Sequence, residues 1–250
     1  RAAQDRFAVH IGPNFFSEEA IRLNLRTGEM RMQGALRFHE IKPWPATLTA
    51  PGAMGWYAWV PRMECYQGVV SFDHAIEGVL EVDGDSVDFT GGRGYIEKTW
   101  GQSFPSAWIW LQSNHFASPE TSLFGAISMI PWIGRTFRGF MAGLLHQGTL
   151  YRFTTYTGAE TEHLAVAPEQ IEWVLRDRLY RLEIVADRGE TIDLRGPSKV
   201  DMGVRVPEAL NAAVDVRLST RKGNHVIFEG NGRNAGLEVV GDLETLLRET

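Results

Sequence analysis

Cysteine is nearly missing. Cys65 is the only one in 250 residues, so no disulfide can form within the chain. That fits a reducing compartment and a cytoplasmic protein, with Cys65 read as a small core residue rather than a reactive thiol. Basic runs are missing as well. Twenty-five Lys and Arg against 31 Asp and Glu give a formal charge of -6, which argues against a nucleic-acid partner. Long apolar runs are also lacking. The most apolar stretch, Leu123 to Leu145, is broken by Pro131, Gly134, Arg135, Arg138 and Gly139, so any contact with a membrane is expected to be peripheral.

Several kinds of chemistry lack their signatures. The seven histidines show no H-x-H or H-E-x-x-H spacing, and a metal site is not expected. No G-x-S-x-G elbow occurs for a serine nucleophile. Gly91-Gly92-Arg93-Gly94 is glycine-rich but opens no helix, which argues against a phosphate-binding loop. Helical periodicity is scarce. Pro207–Ala213 reads as a short helix opened by proline, and Leu243–Arg248 as a C-terminal turn. The chain begins at Arg1 and reads as the later part of a longer polypeptide, so a targeting segment would lie outside it.

What the chain has in quantity is short runs of Val, Ile, Phe, Tyr and Trp separated by turn dipeptides. Strands are expected at Phe7–Ile11, Ile21–Leu25 and Glu29–Phe38, then at Gln67–Asp73 and Ile76–Val82. Asp83-Gly84 makes a hairpin turn into Ser86–Phe89. After the Gly91-Gly92 break come Arg93–Trp100, Ala107–Phe116, Ser122–Ile130 and Phe140–Leu145. Later strands are expected at Leu150–Tyr156, Ile171–Leu175, Tyr180–Ala186, Thr191–Leu194, Val214–Thr220, His225–Gly230 and Ala235–Val240. This pattern implies an all-β meander, barrel or pair of packed sheets, not βαβ units. Pro43–Pro61 is the longest loop-like segment and holds Trp44, Trp56, Tyr57 and Trp59, either as a lid or as a plug for a barrel end.

The densest constellation is Gly91 to Phe116, GGRGYIEKTWGQSFPSAWIWLQSNHF. Strand alternation puts Tyr95, Glu97 and Thr99 on one face of the first strand, and Ile96, Lys98 and Trp100 on the other. In the second strand Trp108, Trp110, Gln112, Asn114 and Phe116 share a face, and Ile109, Leu111, Ser113 and His115 share the opposite one. A Trp-Trp-Gln-Asn-Phe face is too aromatic for water and too polar for an ordinary core. Its amides need partners, supplied either by neighbouring strands, as for most buried amides, or by the oxygen of an apolar ring-bearing ligand. A short turn joins the two strands, and antiparallel pairing between them is expected. Asp73-His74, at a strand end, reads as a surface turn in preference to a catalytic dyad.

Tyr95, Glu97-Lys98, Trp100-Gly101, Phe104-Pro105, Trp108, Trp110, Gln112, Asn114 and Phe116 resemble, in order and spacing, the signature of the tocopherol cyclase family. The likeness continues in Ile130-Pro131 to Gly134, Leu150-Tyr151-Arg152-Phe153, Leu194-Arg195-Gly196-Pro197 and the Gly236–Gly241 ending, covering most of the chain from about Met63 onward. Bacterial tocopherol-cyclase-like proteins are most similar. Family members usually carry an N-terminal Phe-Glu-Gly-Trp-Tyr motif; this chain does not, and Gly55-Trp56-Tyr57 is not that motif.

The resemblance implies a lipocalin-like (calycin-like) antiparallel β architecture. We expect two units, residues 1–92 (incomplete) and 93–250, around an apolar pocket. It implies ring closure of a prenylated hydroquinone to a chromanol, without metal or nucleotide: the alkene is protonated and the phenol oxygen captures the tertiary cation. On this reading Glu97, Lys98, Trp100 and Asp73 are the candidate catalytic residues. Glu97 is the candidate proton donor, and Lys98 pairs with a carboxylate or orients the phenol. Tyr95, Trp108, Trp110, Gln112 and Asn114 are the candidate ligand-binding residues, with Trp100, Trp108 and Trp110 as a cation-stabilising surface, a role compatible with core packing. A related carotenoid-hydratase pattern, Asp-His-x-Trp-Gly, aligns its His and Trp with Lys98 and Trp100, which would place Glu97 behind the cavity. Two other readings of the same pocket are a non-catalytic carrier of a quinone, lipid or pigment and an alkene hydratase.

Overall fold

β-branched and aromatic runs closed by tight turns favour hairpins. In the computed structural model, which describes residues 7–132, 134–197 and 201–248, they assemble into two antiparallel sheets. The first has seven strands: β1 (Ala8–Ile11), β2 (Asn14–Ser17), β3 (Ala20–Thr27), β4 (Met30–His39), β5 (Cys65–Val82), β6 (Asp85–Asp88) and β7 (Arg93–Gly101). They follow chain order from β1 to β6, and β7 pairs with β5. Asp83 and Gly84 turn β5 into β6, and both take positive φ (55° and 95°), the pairing that a two-residue hairpin requires.

The second sheet has eleven strands. They are β8 (Ala107–Ser113), β9 (His115–Phe116), β10 (Thr121–Trp132), β11 (Arg135–His146), β12 (Thr149–Thr154), β13 (Glu160–Val166), β14 (Gln170–Arg176), β15 (Tyr180–Asp187), β16 (Thr191–Gly196), β17 (Val204–Thr220) and β18 (Val226–Gly241). Their order is β12-β11-β10-β8-β18-β17-β15-β14-β13, with β16 on β17 and β9 on β18. Among the described residues no ladder joins β12 to β13, so the fold is all-β without a closed barrel. A short helix, α1 (Leu243–Leu247), follows β18 and is capped by the Asp242 side chain.

Two compact units result: residues up to Trp44 with Val69–Lys98, and Pro45–Gly68 with Thr99 onward. The second unit has a dense core. Ile109, Leu111, Leu123 and Ile127 from one part of the sheet meet Trp173, Leu175, Leu182, Ile184, Val214 and Val216 from another. Gly125 gives Trp173 its room, because a Cβ there would lie 2.9 Å from the indole.

Four expectations are corrected. Gln67–Asp73 and Ile76–Val82 are one 18-residue strand, β5, so Asp73 and His74 lie mid-strand and buried rather than at a surface turn. Pro207–Ala213 is strand within β17, not helix. Pro207 faces Asp193 of β16 and precedes Glu208, where the ladder to β18 begins, so its missing N–H is tolerated. His225–Gly230 and Ala235–Val240 merge into β18. Finally, β7 and β8 do not pair: β7 hydrogen-bonds to β5, while β8 lies between β10 and β18.

Candidate functional site

Within β8 alternation holds. Ile109, Leu111 and Ser113 are fully buried, the two apolar ones in the core of the second unit, while Trp108, Trp110 and Gln112 take the other face of the sheet. Directly opposite them stand Ser128, Ala126 and Phe124 of β10 and Val240, Glu238 and Gly236 of β18. Trp110 lies over Gly236, where an added Cβ would come within 2.8 Å of the indole. Trp108 donates its Nε1–H to Glu238 Oε2 at 2.5 Å. Glu208 of β17 stands directly opposite Glu238, so two carboxyl residues and two indoles share this patch.

The amide nitrogens of Gln112 and of Asn114, just past the strand end, are buried and have no hydrogen-bond partner among the described residues. Leaving such groups unpaired costs about 1–3 kcal/mol each, so they call for an acceptor. Phe116 departs from the expected face: the strand breaks at Asn114, and Phe116 packs against the core beside Phe228.

A small apolar cavity of about 40 Å³ adjoins this face. Ala126, Ser128, Ile130, Phe137 and Met141 form its floor, and Ala53, Met54 and Tyr57 cover it. Tyr57 belongs to a 3-10 helix, Gly55–Trp59, and stacks on Phe137 with Trp132 edge-on. Burial raises the Tyr57 hydroxyl above its ordinary pKa. The buried Tyr156 hydroxyl, also at the cavity, has no partner among the described residues. A wider recess of about 610 Å³ on the first unit, lined by Leu23, Gln33, Val79 and Glu81, is shallow and open, with no buried polar group left unpaired along it among the described residues.

In the first unit, Tyr95 donates to Glu97 Oε2 at 2.5 Å, as their shared strand face requires. Burial, then the Glu97 charge and this hydrogen bond, hold the Tyr95 hydroxyl well above its ordinary pKa. Lys98 Nζ lies 5.8 Å from the centre of the Phe7 ring. Asp73 is gripped through both oxygens by Arg93. His74 points to the opposite face of β5 and lies 3.1 Å from Ser71 Oγ. That hydroxyl donates to Asp73 O, so the His74 Nδ1–H donates to Ser71 and Nε2 is the bare nitrogen. Burial is the main cause that lowers His74 to a pKa of about 4; Asp73 opposes the shift and Arg93 adds to it. Asp73 and His74 are therefore no dyad. Trp100, in the second unit, stacks on Tyr66 at 5.4 Å and is half exposed.

The structure thus brings Trp108, Trp110 and Gln112 onto one face, and joins Tyr95 to Glu97. Sequence reasoning missed Ser128 and Glu238 because they reach the patch through the β10 and β18 ladders, and Tyr156 because it reaches the cavity from a 3-10 turn after β12.

Residues 22–241 match the family model described as tocopherol cyclase-like. The chain belongs to the tocopherol cyclase-like family. It is 28% identical to a chloroplastic tocopherol cyclase of Zea mays over 204 residues, covering 75% of this chain and 41% of that protein. To a probable chloroplastic tocopherol cyclase of Oryza sativa subsp. japonica it is 31% identical over 115 residues, or 44% and 24% of the two chains. The chain thus matches less than half the length of these tocopherol cyclases. Among solved structures it is similar to a Nitrosomonas europaea protein assigned provisionally to AttH, at 14% identity and a TM-score of 0.49, covering 95% of this chain and 71% of the other.

Proposed function

We propose that this tocopherol cyclase-like chain closes the ring of a prenylated hydroquinone, or a similar terpenoid phenol, to a chromanol, with its second sheet holding the apolar molecule in a lipocalin-like manner. The observation that carries the reading is the buried amide nitrogen of Gln112, unpartnered among the described residues, on the Trp108–Trp110 face, with that of Asn114 just past the strand end. In this reading those amides donate to a ring oxygen and the indole faces stabilise the tertiary cation.

A carboxyl proton adds to the alkene, the phenol oxygen bonds to the cationic carbon, and the phenolic proton returns to the carboxylate, so nothing is oxidised or reduced. The residue assigned to this transfer is Glu238, which already accepts from Trp108 and stands opposite Trp110. In the first unit, Glu97 with its Tyr95 hydrogen bond and Lys98 beside it remain the second candidates for the acid role, and Asp73 fastens β7 through Arg93, while Trp100 is a further exposed aromatic of the second unit. Pockets for molecules of this size run to hundreds of Å³, so the Ala53–Tyr57 cover lifts to admit the prenyl chain.

The test is incubation of the purified protein with prenylated hydroquinones, followed by mass spectrometry and ring-sensitive absorbance. The expected product has the mass of the substrate and one hydroxyl fewer. Saturable quenching of tryptophan fluorescence without any product would leave a carrier, and a product heavier by one water would mean hydration.

A further inference from the structure

Residues 45–63 and 121–159 contain no Asp or Glu, although the chain holds 31 acidic residues, yet they include Arg62, Arg135, Arg138 and Arg152. These two segments meet in the second unit. Tyr57 of the 3-10 helix packs against Trp132 and Phe137 of the β10–β11 hairpin, and Trp56 stacks on Tyr57 at 4.0 Å. Arg135 stands directly opposite Trp132 at the end of that hairpin and is exposed.

From this anchored base large apolar side chains face outward. Leu48 is 91% exposed, Trp59 64% and Trp56 45%. Leu48 occupies the tip of a tight turn closed by backbone hydrogen bonds between Thr47 and Ala50, where Gly, Asn or Asp would be the ordinary choice. Trp59 donates its Nε1–H to Leu48 O at 3.0 Å, so turn and helix hold their apolar groups side by side.

We infer that this projection inserts into an anionic lipid bilayer, with Leu48, Trp56 and Trp59 among the acyl chains and headgroups and Arg62 and Arg135 at the level of the phosphates. Tryptophan and leucine on a projecting turn, with Arg62 and Arg135 as its exposed cations and the nearest acid in sequence, Glu64, beyond Met63, match the interfacial layer of a bilayer in polarity and in charge. A protein partner fits less well, because three side chains on a projection fall well short of the roughly 800 Å² per side of a standard interface. The inference stands apart from the proposed reaction, since it concerns a surface and can be read without substrate.

Flotation of the purified protein with phosphatidylcholine vesicles, with and without phosphatidylglycerol, tests it. The protein is expected to float with the mixed vesicles and to lose binding as salt is raised. The double variant Leu48→Asp/Trp59→Asp should lose at least about tenfold in partitioning. Arg62→Gln and Arg135→Gln should each lose about fivefold on anionic vesicles, with little change on neutral ones. Leu179→Asp, at a leucine in the β14–β15 turn that is as exposed as Trp59, should bind as the parent does. The inference is overturned if the parent floats with neither vesicle or if the double variant floats unchanged. It is also overturned if sedimentation shows a dimer that the double variant breaks.

Discussion

Trp108 and Glu238, 130 positions apart, are joined by a hydrogen bond that runs diagonally across the β8–β18 ladder, since Trp108 itself faces Val240 and Glu238 faces Trp110. The bond sets a carboxyl oxygen against the Trp108 indole, on the residue that stands directly opposite Trp110 in the ladder. Glu238→Gln keeps an acceptor for the indole but cannot supply the proton. Turnover of a prenylated hydroquinone should fall by about a hundredfold or more, with substrate affinity nearly unchanged. Single-turnover kinetics beside fluorescence titration separate the two effects, and an active Gln variant would return the acid role to Glu97.

Binding and turnover should also divide between the amides and the indoles. Asn114→Ala removes the amide proposed to donate to the ligand and should weaken binding several-fold, about 1 kcal/mol, while turnover of bound substrate changes little. Trp110→Leu removes a face that matters once positive charge develops, so it should mainly lower kcat. Equal effects on KM and kcat from both variants would contradict this division.

Acid should weaken the first unit through His74. Its pKa is about 4 when folded, against an ordinary 6.5, so between those values the unfolded chain binds a proton that the folded chain refuses. Stability is therefore lost as pH falls from about 6.5 towards 4, by on the order of 3 kcal/mol at the lower end. His74→Gln cannot titrate. Urea midpoints measured across this window should drop steeply for the parent and stay nearly flat for the variant.

Gly55 should prove far less replaceable than Gly12, although the two have almost the same φ, 60° and 58°. Nothing lies within 4 Å of a Cβ on Gly12, whereas on Gly55 it would sit 2.6 Å from the Tyr156 ring. Gly12→Ala carries only the left-handed backbone cost, about 1 kcal/mol. Gly55→Ala adds a clash with an aromatic at the cavity and should lose about 2–3 kcal/mol in thermal unfolding, with an altered near-ultraviolet tyrosine signal.

Period-two alternation made much of the second sheet readable in advance. Ile109 and Leu111 alternate with Trp108, Trp110 and Gln112 as their spacing requires, and the motif spanning Tyr95 to Phe116 carries the family. Strand partners were not readable, because pairing depends on residues far along the chain. A short turn suggested that β7 and β8 pair, yet each finds its neighbours elsewhere. The one-residue break at Asn114 returned Phe116 to the core, which alternation alone does not foresee. Glu238 escaped for the same reason: its partner Trp108 comes from another part of the chain. Pro207 shows the opposite failure, a strong local signal for a helix start overridden by ladders on both sides of β17.

The backbone passes between the two compact units three times, after Trp44, after Gly68 and after Lys98, and two of those passages fall inside continuous strands, β5 and β7. No single cut, by a protease or by a gene truncation, can therefore release either unit as one intact piece. Recombination that exchanged one unit for a relative's would need three matched junctions, two of them within hydrogen-bonded ladders. The two units are consequently inherited and expressed together, and residues 45–68, which include the Ala53, Met54 and Tyr57 cover of the cavity, travel with the second unit despite lying between two segments of the first.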